Sequence, residues 1–133
     1  MFREILESFM ILYPRNAYKL TPRQYQKAMK MKILMISPEC APFSKAGGLG
    51  DMVSSISKQF AASGCDVKVF TPLYSTVKRP ADIEKQMDNL SVHMGLGLEY
   101  KASVWTAALG DAKMLFLEFN MYFDRPGIYN YNG

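Results

Sequence analysis

The sequence has few of the residues that build metal centres and disulfide scaffolds. Its 133 residues include two cysteines and one histidine, and Cys40 and Cys65 lack the spacing of metal ligands. We therefore expect no metal site and no cofactor, and we interpret both cysteines as free thiols in a reducing cytoplasm. His93 lies on the polar side of an alternating pattern, which favours a solvated strand position over catalysis.

Long apolar runs and a large excess of charge of one sign are also missing. No segment reaches the roughly 18–20 apolar residues of a membrane span, and the N-terminus lacks a signal-peptide cleavage pattern. The net charge of +4 is mild, and the basic residues are scattered, so we expect neither a nucleic-acid nor a membrane partner. A chain with 49% hydrophobic residues at this length can bury the core of one ordinary domain.

A strand-to-helix junction carries most of the functional information. An apolar strand is predicted at residues 32–37 and an amphipathic helix at about residues 48–63. Between them, Lys45 precedes a glycine run. Glycine lets the backbone approach a ligand closely, and the amides of a helix's first turn favour an anion such as phosphate. The junction therefore predicts a phosphate site; the alternative, that the glycines serve only tight helix–strand packing, stays open.

The junction does not match the commonest nucleotide-binding motifs. Gly48 and Gly50 supply the first two glycines of G-x-G-x-x-G, but Val53 stands where the third is expected. A nicotinamide oxidoreductase is therefore disfavoured. The lysine precedes the glycines and no G-K-[ST] follows, which excludes a Walker loop.

Residues 31–74 resemble the N-terminus of bacterial glycogen synthases and plant starch synthases. That family opens with a strand and Ser-Glu-x-x-Pro-Phe, then Lys-x-Gly-Gly-Leu-Gly-Asp-Val, a helix, a glycine, a second strand and Pro-x-Tyr. Met52 stands where valine is usual, and residues 122–129 resemble the family's Tyr-Phe-x-Arg-x-Gly-x-Tyr segment. The matching positions of the first segment are Ser37, Glu39, Pro42, Phe43, Lys45, Gly47, Gly48, Leu49, Gly50, Asp51, Gly64, Pro72 and Tyr74.

The resemblance covers residues 31–133 and implies an α/β fold. It implies a Rossmann-like, partly parallel sheet with flanking helices and a β-hairpin, forming part of the N-terminal domain of a GT-B glycosyltransferase. It also implies a retaining hexosyltransferase that transfers glucose from ADP-glucose or UDP-glucose to the non-reducing end of an α-1,4-glucan. The family's main catalytic groups are expected outside this chain, so the isolated chain is expected to be weakly active or inactive.

The resemblance also implies a donor-binding site at the junction. Lys45 matches the lysine that contacts the donor phosphates, and Asp51 matches an aspartate near the donor glucose. A carboxylate in the first helical turn also interacts favourably with the helix dipole, and the two roles are compatible. The glycines implied to bring the backbone close to the sugar nucleotide are Gly47, Gly48 and Gly50.

Residues 1–30 precede the family's first strand and have helical patterning. Apolar residues from Phe2 to Tyr13 recur at helical spacing, and Thr21 with Gln24 forms a capping-box pattern. This leader is predicted as a helix pair whose apolar stripe packs either on the chain's own core or on a second chain. The second alternative gives a homo-oligomer through residues 1–30 and an alternative function, a non-catalytic interaction or regulatory module.

The core is predicted as β–α–β followed by a hairpin. A second strand at residues 66–71 should run parallel to the first, after Gly64 as a left-handed helix cap. Residues 80–89 are predicted as a short helix or irregular turn, and Gly110-Asp111 as a hairpin turn. Three further strands are expected at residues 90–96, 100–109 and 112–119, with a loop at residues 120–133. The helix stripe expected to pack on the sheet is Leu49, Met52, Val53, Ile56, Phe60 and Ala61.

Overall fold

The computed structural model describes Thr21 and residues 30–129. The chain divides into two compact units, Met1–Met31 and Lys32–Gly133, and the predicted helical leader lies outside the described residues. The second unit runs in the order β1 (Lys32–Ile36), α1 (Gly48–Ala62), β2 (Asp66–Pro72), β3 (Glu84–Gly95), β4 (Leu98–Leu109), β5 (Ala112–Glu118) and α2 (Asn120–Phe123).

The five strands form one mixed sheet in the order β1-β2-β5-β4-β3. β1, β2 and β5 run parallel, whereas β4 pairs antiparallel with both β5 and β3. The predicted parallel pairing and the hairpin are therefore confirmed. Leu109 pairs with Ala112 across the Gly110-Asp111 turn, where Gly110 has a φ of +60°, a conformation that glycine adopts without steric cost.

The segment before the hairpin differs from its prediction. The short helix or irregular turn expected at residues 80–89 is wrong from Glu84 onward, because β3 begins there and pairs with Thr106 of β4. Almost all of β3 is exposed, and its register with β4 shifts at three places, so the period-two pattern of a half-buried strand is lost. The predicted loop after residue 119 begins instead with the short helix α2.

The face of α1 that packs on the sheet also differs from the prediction. Val53 and Ala61 are buried as expected, but the other predicted apolar positions are exposed: Leu49, Met52, Ile56 and Phe60. The hydroxyl of Ser57 donates to the Val53 carbonyl at 2.7 Å, which satisfies this polar group inside the interface. Neither α1 nor α2, the helices of the described residues, has the length and apolar character needed to cross a bilayer. The small residues buried beside Val53 and Ala61 are Gly50, Ser54 and Ser57.

The hydrophobic core lies where α1 packs on β2 and β5. Its fully buried side chains include Val69 of β2 with Met114 and Phe116 of β5. Phe43, from the loop before α1, packs edge-on against Phe116 with the ring centres 5.2 Å apart. The core therefore fixes the loop that holds the candidate site.

Candidate functional site

The loop of residues 37–47 joins β1 to α1 and is held by hydrogen bonds along its length. The amide of Ser37 donates to a β2 carbonyl at 3.0 Å, and its hydroxyl donates to the Glu39 carbonyl at 2.7 Å. The amide of Ser44 donates to the Cys40 carbonyl, and the Cys40 amide donates to the Ser44 carbonyl, both at 3.0 Å. These bonds fix the main chain immediately before the glycine run.

Glu39 is the buried acidic residue of this loop, with 1% of its surface exposed. Its Oε2 accepts the amides of Ala46 at 2.7 Å and Gly47 at 3.0 Å, and its Oε1 accepts the hydroxyl of Tyr129. The Tyr129 hydrogen bond lowers the pKa of Glu39 most, and the backbone amides of Ala46, Gly47 and Gly50 lower it further, although burial opposes these effects. The carboxylate is therefore ionised and hydrogen-bonded at neutral pH.

Tyr129 joins the segment after α2 to the same loop. Its hydrogen bond to Glu39 raises the pKa of Tyr129 to about 12. In the same segment, the guanidinium of Arg125 lies 5.7 Å from the centre of the Tyr74 ring. The segment that resembles Tyr-Phe-x-Arg-x-Gly-x-Tyr is therefore packed beside the loop between β1 and α1.

Lys45 and Asp51, two predicted site residues, form an ion pair. Lys45 Nζ lies 2.7 Å from Asp51 Oδ2, and their side chains are 50% and 56% exposed. Asp51 lies in the first turn of α1, where a carboxylate interacts favourably with the helix dipole. The structure thus brings the two side chains together at the N-terminus of α1, and both remain accessible to a ligand.

The three glycines of the predicted site have different surroundings. A Cβ on Gly50 would lie 3.2 Å from the Ser44 carbonyl oxygen and 3.3 Å from Glu39 Oε2. Gly50 therefore lies in tight contact with the loop, and a side chain there would have to displace its neighbours by a few tenths of an ångström. A Cβ on Gly47 or Gly48 would meet no atom within 4 Å. Their missing side chains leave open space at the main chain, which suits the close approach of a ligand.

The amides at the start of α1 fall into two groups. Those of Ala46 and Gly47 already donate to Glu39, and that of Gly50 also interacts with the Glu39 carboxylate and lowers its pKa. The amides of Gly48 and Leu49 have no intrahelical acceptor because they belong to the first turn, and no acceptor among the described residues takes them. An anion bound at this helix terminus would meet these two amides and the Lys45 ammonium group.

Glu39 is the part of this arrangement that the sequence interpretation did not assign to the site. A pattern of residue types does not distinguish a buried glutamate from an exposed one. Its partner Tyr129 is 90 residues further along the chain, so no local spacing connects the two. The available signal is the position of an acidic residue within the Ser-Glu-x-x-Pro-Phe-like segment that leads to the glycine run.

The two cysteines and the histidine do not form a second catalytic or metal-binding site. Cys40 is fully buried, and burial raises the pKa of its thiol to about 11, which disfavours the reactive thiolate. Cys40 and Cys65 are both free, and His93 is exposed on β3, as the sequence predicts. Residues 30–129 contain no group of three or more His, Cys, Asp or Glu side chains that could hold a metal ion.

Comparison with known proteins gives matches over most of the chain. The family model of the starch synthase catalytic domain matches residues 32–133. Glycogen synthase 1 of Geobacter metallireducens is 42% identical over 107 residues, covering 77% of this chain and 21% of that protein. A glycogen synthase of Lactobacillus acidophilus is 38% identical over 104 residues, covering 76% of this chain and 21% of that protein. The chain spans about a fifth of the length of these curated relatives.

The fold is similar to the catalytic domain of starch synthase IV from Arabidopsis thaliana. The match has a TM-score of 0.68 and 23% identity, and covers 77% of this chain and 22% of that chain. It identifies the described sheet and helices as a fragment of a GT-B catalytic domain. The chain belongs to the starch synthase catalytic-domain family of glycosyltransferases.

Proposed function

We propose that residues 32–133 form the donor-binding part of a glycogen or starch synthase. In this reaction glucose passes with retention from ADP-glucose or UDP-glucose to the non-reducing end of an α-1,4-glucan. The observation that carries the proposal is the position of Lys45 at the N-terminus of α1, beside open glycine backbone, in a chain that belongs to this family. The structural neighbour is itself bound to ADP and acarbose, which is consistent with a nucleotide and a glucan as substrates.

Each residue of the site has a role in this proposal. Lys45 and the amides of Gly48 and Leu49 bind the donor diphosphate, and their fixed positive charge stabilises the departing nucleoside diphosphate. Gly47 and Gly48 let the main chain approach the donor because no side chain intervenes. Asp51 lies near the donor glucose and pairs with Lys45 until the donor diphosphate replaces it as the partner of that lysine. Gly50 contributes indirectly, through the packing of the loop.

Lys45 and the helix-start amides line only one side of a donor site, which is insufficient for efficient glucose transfer. A single lysine and two amides stabilise only part of the charge on a departing diphosphate, and alignment of the acceptor hydroxyl needs further groups around the donor. We therefore expect the 133-residue chain to bind nucleotide and to transfer radiolabelled glucose from ADP-glucose to glycogen weakly or not at all. Robust turnover by this chain would contradict that expectation.

Titration calorimetry tests the binding role directly. The full chain and its Lys45→Ala variant are titrated with ADP, ADP-glucose and UDP-glucose. Loss of a charge-assisted contact should weaken ADP binding by about tenfold or more. Lys68→Ala is the matched control, because Lys68 is an exposed lysine of β2 and should leave binding unchanged. Equal affinity of the Lys45→Ala variant and the wild type would overturn the proposal.

The cellular setting follows from the same proposal. We place the reaction in the cytoplasm, because two thiols that form no disulfide fit a reducing compartment. The alternative of a non-catalytic module that assembles through residues 1–30 gains no support from the family comparisons.

A further inference from the structure

Glu39 is an unusual residue for its position in the fold. It is buried to 1% exposure next to the hydrophobic core, where an ionised carboxylate is costly unless hydrogen-bond donors satisfy it. Its donors are the amides of Ala46 and Gly47 and the hydroxyl of Tyr129. Tight packing alone would be achieved more simply by an apolar side chain.

The two carboxylate oxygens contact different parts of the chain. Oε2 accepts the amides of the two residues that separate Lys45 from the first turn of α1. Oε1 accepts the Tyr129 hydroxyl from the segment after α2. The absence of a side chain on Gly50 makes room for Oε2, since a Cβ there would lie 3.3 Å from it. The carboxylate therefore joins the loop, the helix start and the later aromatic segment at one point.

This arrangement determines which amides a ligand can reach. Ala46 and Gly47 direct their amides inward to Glu39 and are not available to a bound anion. The amides of Gly48 and Leu49 are the next in sequence, and no acceptor among the described residues takes them. A negative carboxylate gives no direct attraction to a diphosphate, so any contribution of Glu39 to binding acts through the main chain that it holds.

We propose that Glu39 is a positioning residue, which fixes the main chain of Ala46 and Gly47 so that Lys45 and the next two amides meet the donor diphosphate together. Tyr129 completes this arrangement by occupying the second carboxylate oxygen. The inference rests on the proposed donor site, but the holding of the loop by Glu39 can be measured without any donor.

The experiment uses the isotope-labelled full chain and two readouts. Amide NMR of Ala46 and Gly47 between pH 3 and pH 7 reports the loop, and titration calorimetry with ADP reports the site. In the Glu39→Gln variant, we expect loss of the acid-dependent shift of both amides and about tenfold faster hydrogen exchange. The affinity for ADP should fall by about tenfold. Glu118→Gln is the control, because Glu118 accepts Trp105 Nε1 and Arg79 at a different place on the sheet and should change neither readout.

A third variant guards against misfolding. Tyr129→Phe removes the hydroxyl of a side chain that is 59% exposed. This variant should therefore fold even if Glu39→Gln does not. In this variant the pH-dependent chemical shifts of the Ala46 and Gly47 amides should have a higher midpoint pH than in the wild type, because the Tyr129 hydroxyl is the main cause of the low pKa of Glu39.

The outcomes separate the two proposals. Unchanged Ala46 and Gly47 amides in folded Glu39→Gln, or undiminished ADP affinity in that variant while Lys45→Ala loses it, would overturn the positioning role. Amides that respond to Glu39→Gln, in a wild-type chain that binds no ADP, would support the loop arrangement and overturn the donor site instead.

Discussion

Lys45 Nζ and Asp51 Oδ2 lie 2.7 Å apart across the start of α1. The proposed phosphate-binding cation is therefore already paired with a carboxylate in the unliganded chain. Both side chains are about half exposed, and ion pairs of this kind contribute only about 0–1 kcal/mol. A diphosphate, which carries more negative charge than one carboxylate, can replace Asp51 as the partner of Lys45.

The Asp51→Asn variant should bind ADP more tightly than the wild type. The substitution removes the competing carboxylate and its repulsion of the ligand, so we expect about a two- to fivefold gain in affinity by calorimetry at low salt. The gain should shrink at high ionic strength. Asp111→Asn, in the exposed hairpin turn, is the matched control. Weaker ADP binding by Asp51→Asn would show that Asp51 orients Lys45 rather than competing for it.

Alanine substitutions should separate the glycine that packs from the glycine that faces open space. Gly50→Ala places a Cβ 3.2 Å from the Ser44 carbonyl oxygen, and we expect a loss of about 1–3 kcal/mol in unfolding free energy from urea titration. The Cβ added by Gly48→Ala has no atom within 4 Å, so this variant should be neutral or stabilising by up to about 1 kcal/mol. Its ADP affinity should nevertheless fall, because a methyl group then stands at the ligand-facing main chain. Equal stability of the two variants would contradict this assignment.

The sequence predicts the elements that depend on local chemistry. The strand, glycine-rich junction and helix around Lys45 are recognisable because glycine, lysine and apolar periodicity are all local signals. The turn at Gly110 is predicted for the same reason, and the structure places it between β4 and β5.

The features that escape prediction depend on tertiary contacts. α1 buries Ser57 rather than Ile56, because the Ser57 hydroxyl is satisfied by the helix itself and a small side chain allows close packing. Most of β3 follows no alternating pattern because nearly all of it is exposed. The hydrogen bond between Glu39 and Tyr129 joins residues that are distant in sequence, and only the folded chain reveals it.

Substitutions at neighbouring positions of α1 test which face is buried. Val53 is 4% exposed and Met52 is 47% exposed. Val53→Ala should lower the unfolding free energy by about 1.5–3 kcal/mol, since it removes buried methyl groups from the contact with the sheet. Met52→Ala should stay within about 0.5 kcal/mol of the wild type. Urea unfolding of the two variants gives the comparison. A larger loss of unfolding free energy in Met52→Ala than in Val53→Ala would show that the buried face is the one predicted from the sequence.

The carboxylate of Glu39 should make the chain less stable in acid. Its pKa is lower in the folded chain than its ordinary value of 4.5, with the Tyr129 hydroxyl as the first cause. The stabilisation is therefore present above about pH 4.5 and is lost as the pH falls through the folded pKa. The unfolding free energy of the wild type should exceed that of Glu39→Gln at pH 7, and the two should converge at lower pH. A difference that does not vary with pH would contradict an ionised Glu39.

The hydroxyl of Tyr129 should produce the opposite dependence in alkali. Its pKa is raised from 10.0 to about 12 by the hydrogen bond to Glu39. A raised pKa means that the stabilisation is complete below pH 10 and is lost as the pH rises through about 12. The difference in unfolding free energy between the wild type and Tyr129→Phe should thus be constant from pH 7 to pH 10 and should disappear near pH 12. Other tyrosines titrate equally in both chains, so a difference that persists at pH 12 would show that Tyr129 contributes by packing rather than by donating to Glu39.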